Sequence, residues 1–349
     1  MSNPIIARHV QTARLNTYIR ESGPADGMPV VLVHGNVSSS LFYESILAGA
    51  PSTYRVIAPD LRGYGDSEVK PVDATRGVRD WSDDLYSLLS KLEISGPVAL
   101  AGWSLGGGVA MQFALDHPQL VSKLILISPV SPYGFGATKG LDGTLVTPDA
   151  AGSGGGTANA DFVNLLAAND TGSASQVSPR NVMNAFYFKP PFRVAPELEN
   201  RLVAAMNQTA VGNDNYPGTQ RASANWPMIA PGSSGVLNTL APTYFNVSAL
   251  VNLNPKPPVL WVRGADDQIV ADSSFFDLAF LGQLGAVPGW PGPAASPPQP
   301  MVSQTRAVLE RYQAKGGTYK EVVFANCGHS PHIEKKREFQ ETLWAFVNE

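Results

Sequence analysis

The chain has 349 residues, of which 44% are hydrophobic and 15% charged, and its apolar fraction is large enough for a substantial core. A net charge of −4 without a basic cluster argues against nucleic acid and anionic membrane surfaces as partners, and the single Cys327 excludes an intramolecular disulfide. No secretory-signal pattern opens the chain and no apolar run approaches the 18 residues of a membrane span, so we expect a cytoplasmic protein.

The first segments predict two strands and then a buried one. Residues Pro4 to Val10 and Arg14 to Glu21 alternate in polarity, which favours two strands joined by a short turn. Val30 to Val33 is continuously apolar, which is typical of a strand buried on both faces of a parallel sheet. Ligand-facing loops of such sheets follow the carboxyl ends of the strands, so we expect Asn36 and Val37 at the functional edge.

The next strand and helix continue the alternation of an α/β sheet. Tyr54 to Ala58 predicts a strand, and Asp60 and Arg62 follow it in a glycine-containing loop. We interpret these two charges as a buried ion pair or turn that fixes the loop, because charged pairs at loop bases are usually structural. Asp80 to Glu93 carries its apolar residues on one helical face and predicts a covering helix.

A sharp strand-to-helix turn is predicted around Ser104. The apolar run that begins at Val98 leads directly into Gly102-x-Ser104-x-Gly106, and Leu105 to Asp116 has a helical pattern. Small residues two positions on either side of a serine allow the tight turn known as a nucleophile elbow. The sequence therefore predicts that Ser104 is exposed at the top of the sheet, beside the positive end of a helix.

The character of the chain changes after the strand at Leu124 to Ser128. Residues 131–250 contain a glycine-rich stretch, short helical patterns and many aromatic residues, but no buried-strand run. We predict that they form a lid inserted into an α/β core made of residues 1–130 and 251–349. Most of the aromatic residues are expected to form the lid's own small core.

The α/β pattern resumes at Pro258. Pro258 to Arg263 predicts a buried strand that ends beside Asp266 and Asp267, and Glu321 to Ala325 predicts the last strand. Six prolines in residues 286–300 indicate a surface loop. Helices are predicted for residues 303–315 and 334–347.

Three residues at separate strand ends fit a nucleophile, an acid and a base. A serine hydroxyl needs an imidazole to accept its proton, and the imidazole needs a carboxylate to hold its tautomer. We predict Ser104 as the nucleophile and His329, directly beyond the last strand, as the base, in preference to His332. Asp267 is the preferred acid, with Asp266 serving the turn.

Two backbone N–H groups would complete this site. The N–H of Leu105 and that of either Asn36 or Val37 are predicted to form the oxyanion hole. No metal site is predicted, because no cluster of His, Cys and Asp has ligand spacing. No cofactor is expected, and the oligomeric state stays open.

Taken together, these loops resemble those of the α/β-hydrolase superfamily. The matching motifs are His34-Gly35-Asn36, Asp60-x-Arg62-Gly63-x-Gly65-x-Ser67, Gly102-Trp-Ser104-Leu-Gly106-Gly107, Gly264-Ala-Asp-Asp267 and Gly328-His329-Ser-Pro-His-Ile-Glu334. The resemblance implies a mostly parallel central sheet flanked by helices and a Ser-His-Asp triad. The His-Gly-Asn loop is similar to that of haloalkane dehalogenases, but those enzymes carry an aspartate nucleophile where this chain has Ser104.

The residues and the resemblance together favour a serine hydrolase. We expect cleavage of a carboxylic ester or lactone of an apolar small molecule through an acyl-enzyme. Hydrolysis of a carbon–carbon bond next to a ketone is the alternative with the same triad, although the family's enzymes of that kind often have a glycine-rich loop where Asn36 to Ser40 stands. The fold also hosts ligand receptors and cofactor-free oxygenases, which a complete triad argues against.

Overall fold

A computed structural model describes residues 3–349 and shows an eight-stranded central sheet. The order of the strands across the sheet is β1-β2-β4-β3-β5-β6-β7-β8. In chain order the strands are β1 Ile6–Gln11, β2 Asn16–Ser22, β3 Met28–Val33, β4 Tyr54–Pro59, β5 Val98–Trp103, β6 Val121–Ile127, β7 Val259–Gly264 and β8 Tyr319–Phe324. Strands β3 to β8 run parallel, and β2 pairs antiparallel with both β1 and β4. The predicted mostly parallel sheet is confirmed.

Helices flank this sheet. They are α1 Glu44–Ala48, α2 Arg79–Lys91, α3 Leu105–Asp116, α4 Ala160–Ala167, α5 Pro179–Val182, α6 Pro196–Asn207, α7 Leu278–Gln283, α8 Met301–Ala314, α9 Pro331–Glu334 and α10 Lys336–Asn348. The bounds of α3 agree with the prediction, and α2 and α8 begin and end within two residues of theirs. The predicted C-terminal helix corresponds to α10, which begins and ends within two residues of the predicted bounds; the short α9 precedes it and is separated from it by Lys335, whose backbone is not helical (φ −118°, ψ 44°). None of the helices within residues 3–349 is long and apolar enough to cross a bilayer.

The centre of the sheet forms the core and carries the loops of interest. Every residue of β5 is buried, and Val30 to Val33 of β3 are inaccessible to solvent, as predicted for a strand covered on both faces. Burial at the centre makes β3, β5 and β7 a fixed platform. Because they are parallel, the loops that follow them begin at the same edge of the sheet.

Two long segments leave this edge between strands. Residues 128–258, between β6 and β7, contain α4 to α6, a π-helical turn at Met183–Tyr187 and short strand pairs, none of which joins the central sheet. Residues 265–300, between β7 and α8, contain only the short α7. The proline-rich part, residues 286–300, has neither helix nor strand, as predicted.

Candidate active site

Ser104 lies in the turn between β5 and α3. Its backbone has φ 57° and ψ −119°, a conformation that a residue with a side chain adopts only when its surroundings impose it. Two glycines make the turn possible. A Cβ on Gly102 would lie 2.1 Å from the carbonyl oxygen of Gly106, and a Cβ on Gly106 would lie 2.2 Å from that of Val33. The structure thus places Ser104 on the sharp strand-to-helix turn that the sequence predicts.

His329 and Asp267 are hydrogen-bonded to each other at the ends of β8 and β7. His329 Nδ1 lies 2.8 Å from Asp267 Oδ2, and both side chains are buried. The other carboxylate oxygen, Oδ1, accepts the backbone N–H groups of Ile269 (2.8 Å) and Val270 (3.1 Å). These two donors fix the carboxylate so that Oδ2 faces the imidazole.

Ser104 and His329 line the same cavity. Within residues 3–349 the Ser104 hydroxyl makes no hydrogen bond, so it is not yet joined to the imidazole; catalytic hydrogen bonds often shorten only when substrate is bound. The loop of His329 is held in place by the indole N–H of Trp103, which donates to the His329 carbonyl oxygen at 2.8 Å. The arrangement brings a serine hydroxyl and an imidazole to one cavity, and the imidazole is hydrogen-bonded to a buried carboxylate.

The residues considered as alternatives have other surroundings. The carboxylate of Asp266 is 2.9 Å from the ammonium of Lys189. His332 is fully buried against Trp103, with ring centroids 4.8 Å apart. Neither ring nitrogen of His332 has a hydrogen-bond partner among residues 3–349, and burial lowers its pKa to about 3.

The two peptide segments predicted for the oxyanion hole also border the cavity. Leu105 is the first residue of α3, and Asn36 and Val37 form the loop after β3. None of the three backbone N–H groups donates a hydrogen bond within residues 3–349. Val37 has a positive φ of 45°. We expect Leu105 and one of the other two residues to act as a pair.

Asp60 and Arg62 are structural, as interpreted from the sequence, but they do not bind each other. Asp60 accepts the backbone N–H groups of Ser40 (2.7 Å) and Asp66 (2.9 Å). The Arg62 guanidinium binds both carboxylate oxygens of Asp84 in α2, at 2.8 Å each. Each charge therefore stabilises a different neighbouring loop or helix.

A cavity of about 330 Å³ lies over Ser104. Its aromatic lining consists of Trp103, Phe135, Phe162, Phe186, Tyr187, Tyr216, Phe275, Phe276 and the imidazole of His329. No Asp, Glu, Lys or Arg is among the residues that line it within the described chain. Both long segments contribute lining residues; we call those between residues 130 and 240 the first wall and those between residues 269 and 281 the second wall. No pattern in the sequence predicts this second wall.

Two further residues of the site were also missed by the sequence analysis. The buried hydroxyl of Tyr187 lies within hydrogen-bond distance of the carbonyl oxygens of Asn36 and Val37. Glu334 accepts the backbone N–H groups of Gly328 (2.9 Å) and Lys189 (2.7 Å), so it ties the loop of His329 to the long segment. Burial raises the pKa of the Glu334 carboxyl, an effect that its N–H donors oppose. Glu334 belongs to a motif quoted above, but nothing in the sequence identifies its partners.

Comparison with known proteins gives a family match along most of the chain. The profile of the alpha/beta hydrolase family matches residues 30–341. The chain belongs to the alpha/beta hydrolase family. The fold expected from the sequence motifs is thereby confirmed.

Individual relatives within the alpha/beta hydrolases match over shorter stretches. The chain is 34% identical over 144 residues to a 2-hydroxymuconate semialdehyde hydrolase of Pseudomonas sp. (strain CF600), a match that covers 40% of this chain and 49% of that protein. It is 43% identical over 110 residues to an uncharacterized protein of Mycobacterium tuberculosis, covering 32% and 30% of the two chains. The chain therefore spans about half or less of the length of these curated relatives.

Solved alpha/beta hydrolase structures are similar over their whole length. A serine hydrolase from the polyaromatic hydrocarbon-degrading bacterium Cycloclasticus zankles superposes with a TM-score of 0.63 at 18% identity, covering 99% of this chain and 98% of that one. A carboxylesterase of Bacillus subtilis gives a TM-score of 0.60 at 17% identity and covers 99% and 92%. At such identities the likeness shows a shared fold.

Proposed function

We propose that this chain is a serine hydrolase that cleaves uncharged, apolar carboxylic esters or lactones through an acyl-enzyme. The observation that carries the proposal is the pairing of His329 with Asp267 beside Ser104, in a cavity lined without charged side chains. A nucleophile, base and orienting acid around one space are what acyl transfer needs. An apolar lining favours a substrate without ionised groups.

The geometry supports the following sequence of steps. His329 Nε2 accepts the Ser104 proton as Oγ attacks the ester carbonyl, and the Nδ1–H donates to Asp267, which stabilises the imidazolium. The negative oxygen of the tetrahedral intermediate accepts N–H groups from Leu105 and from Asn36 or Val37. His329 then gives its proton to the leaving alcohol. Water, deprotonated by His329, cleaves the acyl-enzyme and releases the acid.

The lid predicted from the sequence is part of this proposal. Residues 131–250 supply the wall that carries Phe162 and Tyr216, and their apolar side chains would exclude water from the acyl-enzyme. Residues 269–281 line the same cavity. We therefore extend the proposed lid to both segments, on a core that retains residues 1–130 and the remainder of 251–349.

The alternative, carbon–carbon bond hydrolysis, fits the cavity less well. The Pseudomonas relative is named for a muconate semialdehyde, which carries an ionised carboxylate. A buried carboxylate costs several kcal/mol unless a cation or several donors pair with it. The lining residues within the described chain include no Lys or Arg. An uncharged ester needs no such partner, which favours the ester.

The deciding experiment measures turnover and covalent labelling. Wild-type protein is expected to hydrolyse 4-nitrophenyl butyrate and to bind a fluorophosphonate covalently, whereas Ser104→Ala should lose labelling and about 10⁴-fold of the rate because the nucleophile is gone. Equal melting temperatures are the control for folding. Ester turnover by Ser104→Ala within tenfold of wild type would contradict the proposal. An unlabelled, inactive wild type that binds apolar ligands would indicate a receptor, and turnover of the muconate semialdehyde alone would indicate carbon–carbon cleavage.

A further inference from the structure

The polar side chains around the cavity differ in whether the protein already binds them. Apart from Trp103 and the residues of the proposed triad, the lining residues with polar side chains are Asn36, Thr157, Asn159, Tyr187 and Tyr216. The hydroxyl of Thr157 donates to the carbonyl oxygen of Gly154 at 2.8 Å. The side-chain oxygen of Asn159 accepts the backbone N–H of Phe162 at 3.0 Å. Both of these side chains therefore hold the backbone of the first wall.

Three tyrosines lie around the loop after β3, and two of them are bound to it. The hydroxyl of Tyr64 donates to Oδ1 of Asn36 at 2.7 Å, and that of Tyr187 lies 3.0 Å from the Asn36 carbonyl oxygen. The side chain of Tyr216 makes no hydrogen bond within residues 3–349. Burial raises the pKa of all three phenols, and the nearby Tyr216 adds to the rise for the other two. Tyr216 is therefore a neutral donor without a partner, close to two tyrosines that have one.

The ring of Tyr216 is fixed, and the cavity is the space from which a partner can reach its hydroxyl. The residue is 5% exposed and lines the cavity, and its oxygen is not one of the sealed, unpartnered side-chain atoms of the core. Its ring packs edge-on against Phe162, with centroids 6.3 Å apart. Its backbone N–H donates to the carbonyl oxygen of Ala210 at 3.0 Å. Because the hydroxyl is held in advance, binding an acceptor requires little ordering of the protein.

A wholly apolar ligand does not suit such a hydroxyl. A donor that is covered by hydrocarbon loses its hydrogen bonds with water and receives none in return, which weakens binding. A ligand oxygen at this point restores the hydrogen bond. An ionised oxygen is disfavoured, because the lining within the described chain contains no Lys or Arg to pair with it. The surroundings of Tyr216 therefore favour an uncharged oxygen acceptor.

We propose that Tyr216 is a specificity-determining residue whose hydroxyl binds an uncharged oxygen of the substrate other than the scissile carbonyl, such as a ketone or ether oxygen. The inference rests on the serine-hydrolase function proposed above. It narrows the substrate class from apolar esters and lactones in general to those that carry a second, uncharged oxygen acceptor. Tyr216 takes no part in the chemical steps.

The test uses pairs of esters that differ in one acceptor. Each pair is a 4-nitrophenyl ester with a ketone in its acyl chain and the analogue in which a methylene group replaces the ketone oxygen, and the ketone is moved along the chain from pair to pair. The value of kcat/KM is measured for wild type, Tyr216→Phe and Tyr187→Phe. Tyr187→Phe is the matched control, because it also removes one phenol hydroxyl from the cavity, but one that the protein already binds.

The two members of a pair should respond to Tyr216→Phe in opposite directions. For the chain length that reaches the hydroxyl, we expect the ratio of kcat/KM for the ketone to that for its hydrocarbon analogue to fall about 5- to 20-fold. The kcat/KM of the hydrocarbon ester should itself rise up to about fivefold, because its chain no longer covers an unpaired donor. Tyr187→Phe should change both esters alike and leave their ratio within about twofold of wild type.

Several outcomes would overturn the inference. An unchanged ratio at every ketone position in Tyr216→Phe, with or without a general loss of rate, would show that Tyr216 does not bind the acceptor and would point to another donor such as the Asn36 amide. An equal fall of the ratio in Tyr187→Phe would also reject it. If Tyr216→Phe does not fold, a crystal structure of Ser104→Ala with the best ketone ester decides, since the ketone oxygen must lie within about 3.2 Å of Tyr216 Oη.

Failure of this inference can be separated from failure of the proposed function. A wild type that hydrolyses the esters while Tyr216→Phe keeps every ratio rejects the role of Tyr216 alone. A wild type that neither hydrolyses them nor binds a fluorophosphonate rejects the serine-hydrolase proposal. Calorimetric binding of the same pairs to wild type and Tyr216→Phe then tests the hydroxyl independently of turnover, and an equal preference for the ketone in both proteins would reject its role.

Discussion

Replacing Asp267 with asparagine tests how the imidazole is oriented. In the structure, Oδ1 of Asp267 accepts the N–H groups of Ile269 and Val270, and Oδ2 faces His329 Nδ1 at 2.8 Å. An asparagine keeps the shape, but its amide oxygen must stay with the two N–H donors, because the reverse orientation would place an NH₂ group against both of them. The NH₂ group therefore faces His329.

This orientation favours the wrong tautomer. An NH₂ donor stabilises a neutral imidazole whose Nδ1 is unprotonated and whose Nε2 carries the proton, and such a ring cannot accept the proton of Ser104. The loss of kcat is expected to be about 10⁴-fold, as for other triads, which corresponds to about 5 kcal/mol of transition-state stabilisation. The melting temperature should change little, because both N–H groups keep their acceptor.

The assay is hydrolysis of 4-nitrophenyl butyrate, with Asp266→Asn as the control. Asp266 is 38% exposed and pairs with Lys189 at the surface, so its replacement should cost at most about 1 kcal/mol of stability and leave the rate nearly unchanged. Retention of more than a tenth of the wild-type kcat by Asp267→Asn would refute the reasoning. If Asp266→Asn loses activity instead, Asp266 rather than Asp267 is the residue that orients His329.

Two further substitutions probe buried groups near the imidazole. The pKa of His332 is about 3 in the fold and about 6.5 when unfolded, so at pH 5 the unfolded chain binds a proton that the native state does not. Lowering the pH from 7 to 5 should therefore reduce the free energy of unfolding by about 2 kcal/mol. His332→Phe should keep activity, and its free energy of unfolding in urea should fall less between pH 7 and pH 5 than that of the wild type. An equal fall in the two proteins would contradict this prediction. Glu334→Ala removes the acceptor of the backbone N–H groups of Gly328, Ser330 and Lys189. It should lower the free energy of unfolding by about 2 to 3 kcal/mol. An unchanged midpoint of urea unfolding would disprove this expectation.

The parts of the fold that the sequence predicts are those with local signals. Apolar runs locate β3, β5 and β7, and the glycines around Ser104 locate the turn, because each requirement is met within a few neighbouring residues. The ends of parallel strands meet at one edge, so the proximity of Asp267 and His329 also follows from the sequence. Their catalytic role stays a prediction.

The remaining features depend on pairs that are distant in the chain. Arg62 binds Asp84 rather than Asp60, and Tyr187 binds a carbonyl 151 residues away, for which no local pattern exists. The wall formed by residues 269–281 was missed because Phe275 and Phe276 show neither helical nor strand periodicity.

The two walls of the cavity are encoded in separate segments, one on each side of β7 in the chain. Neither wall contributes a strand to the central sheet, so insertions, deletions or exchanges in either leave the strand pairing intact. Residues 271–281 can therefore vary without removing the Ile269 and Val270 N–H groups that hold Asp267, whereas a change of length near Tyr187 disturbs its contacts with Asn36 and Val37.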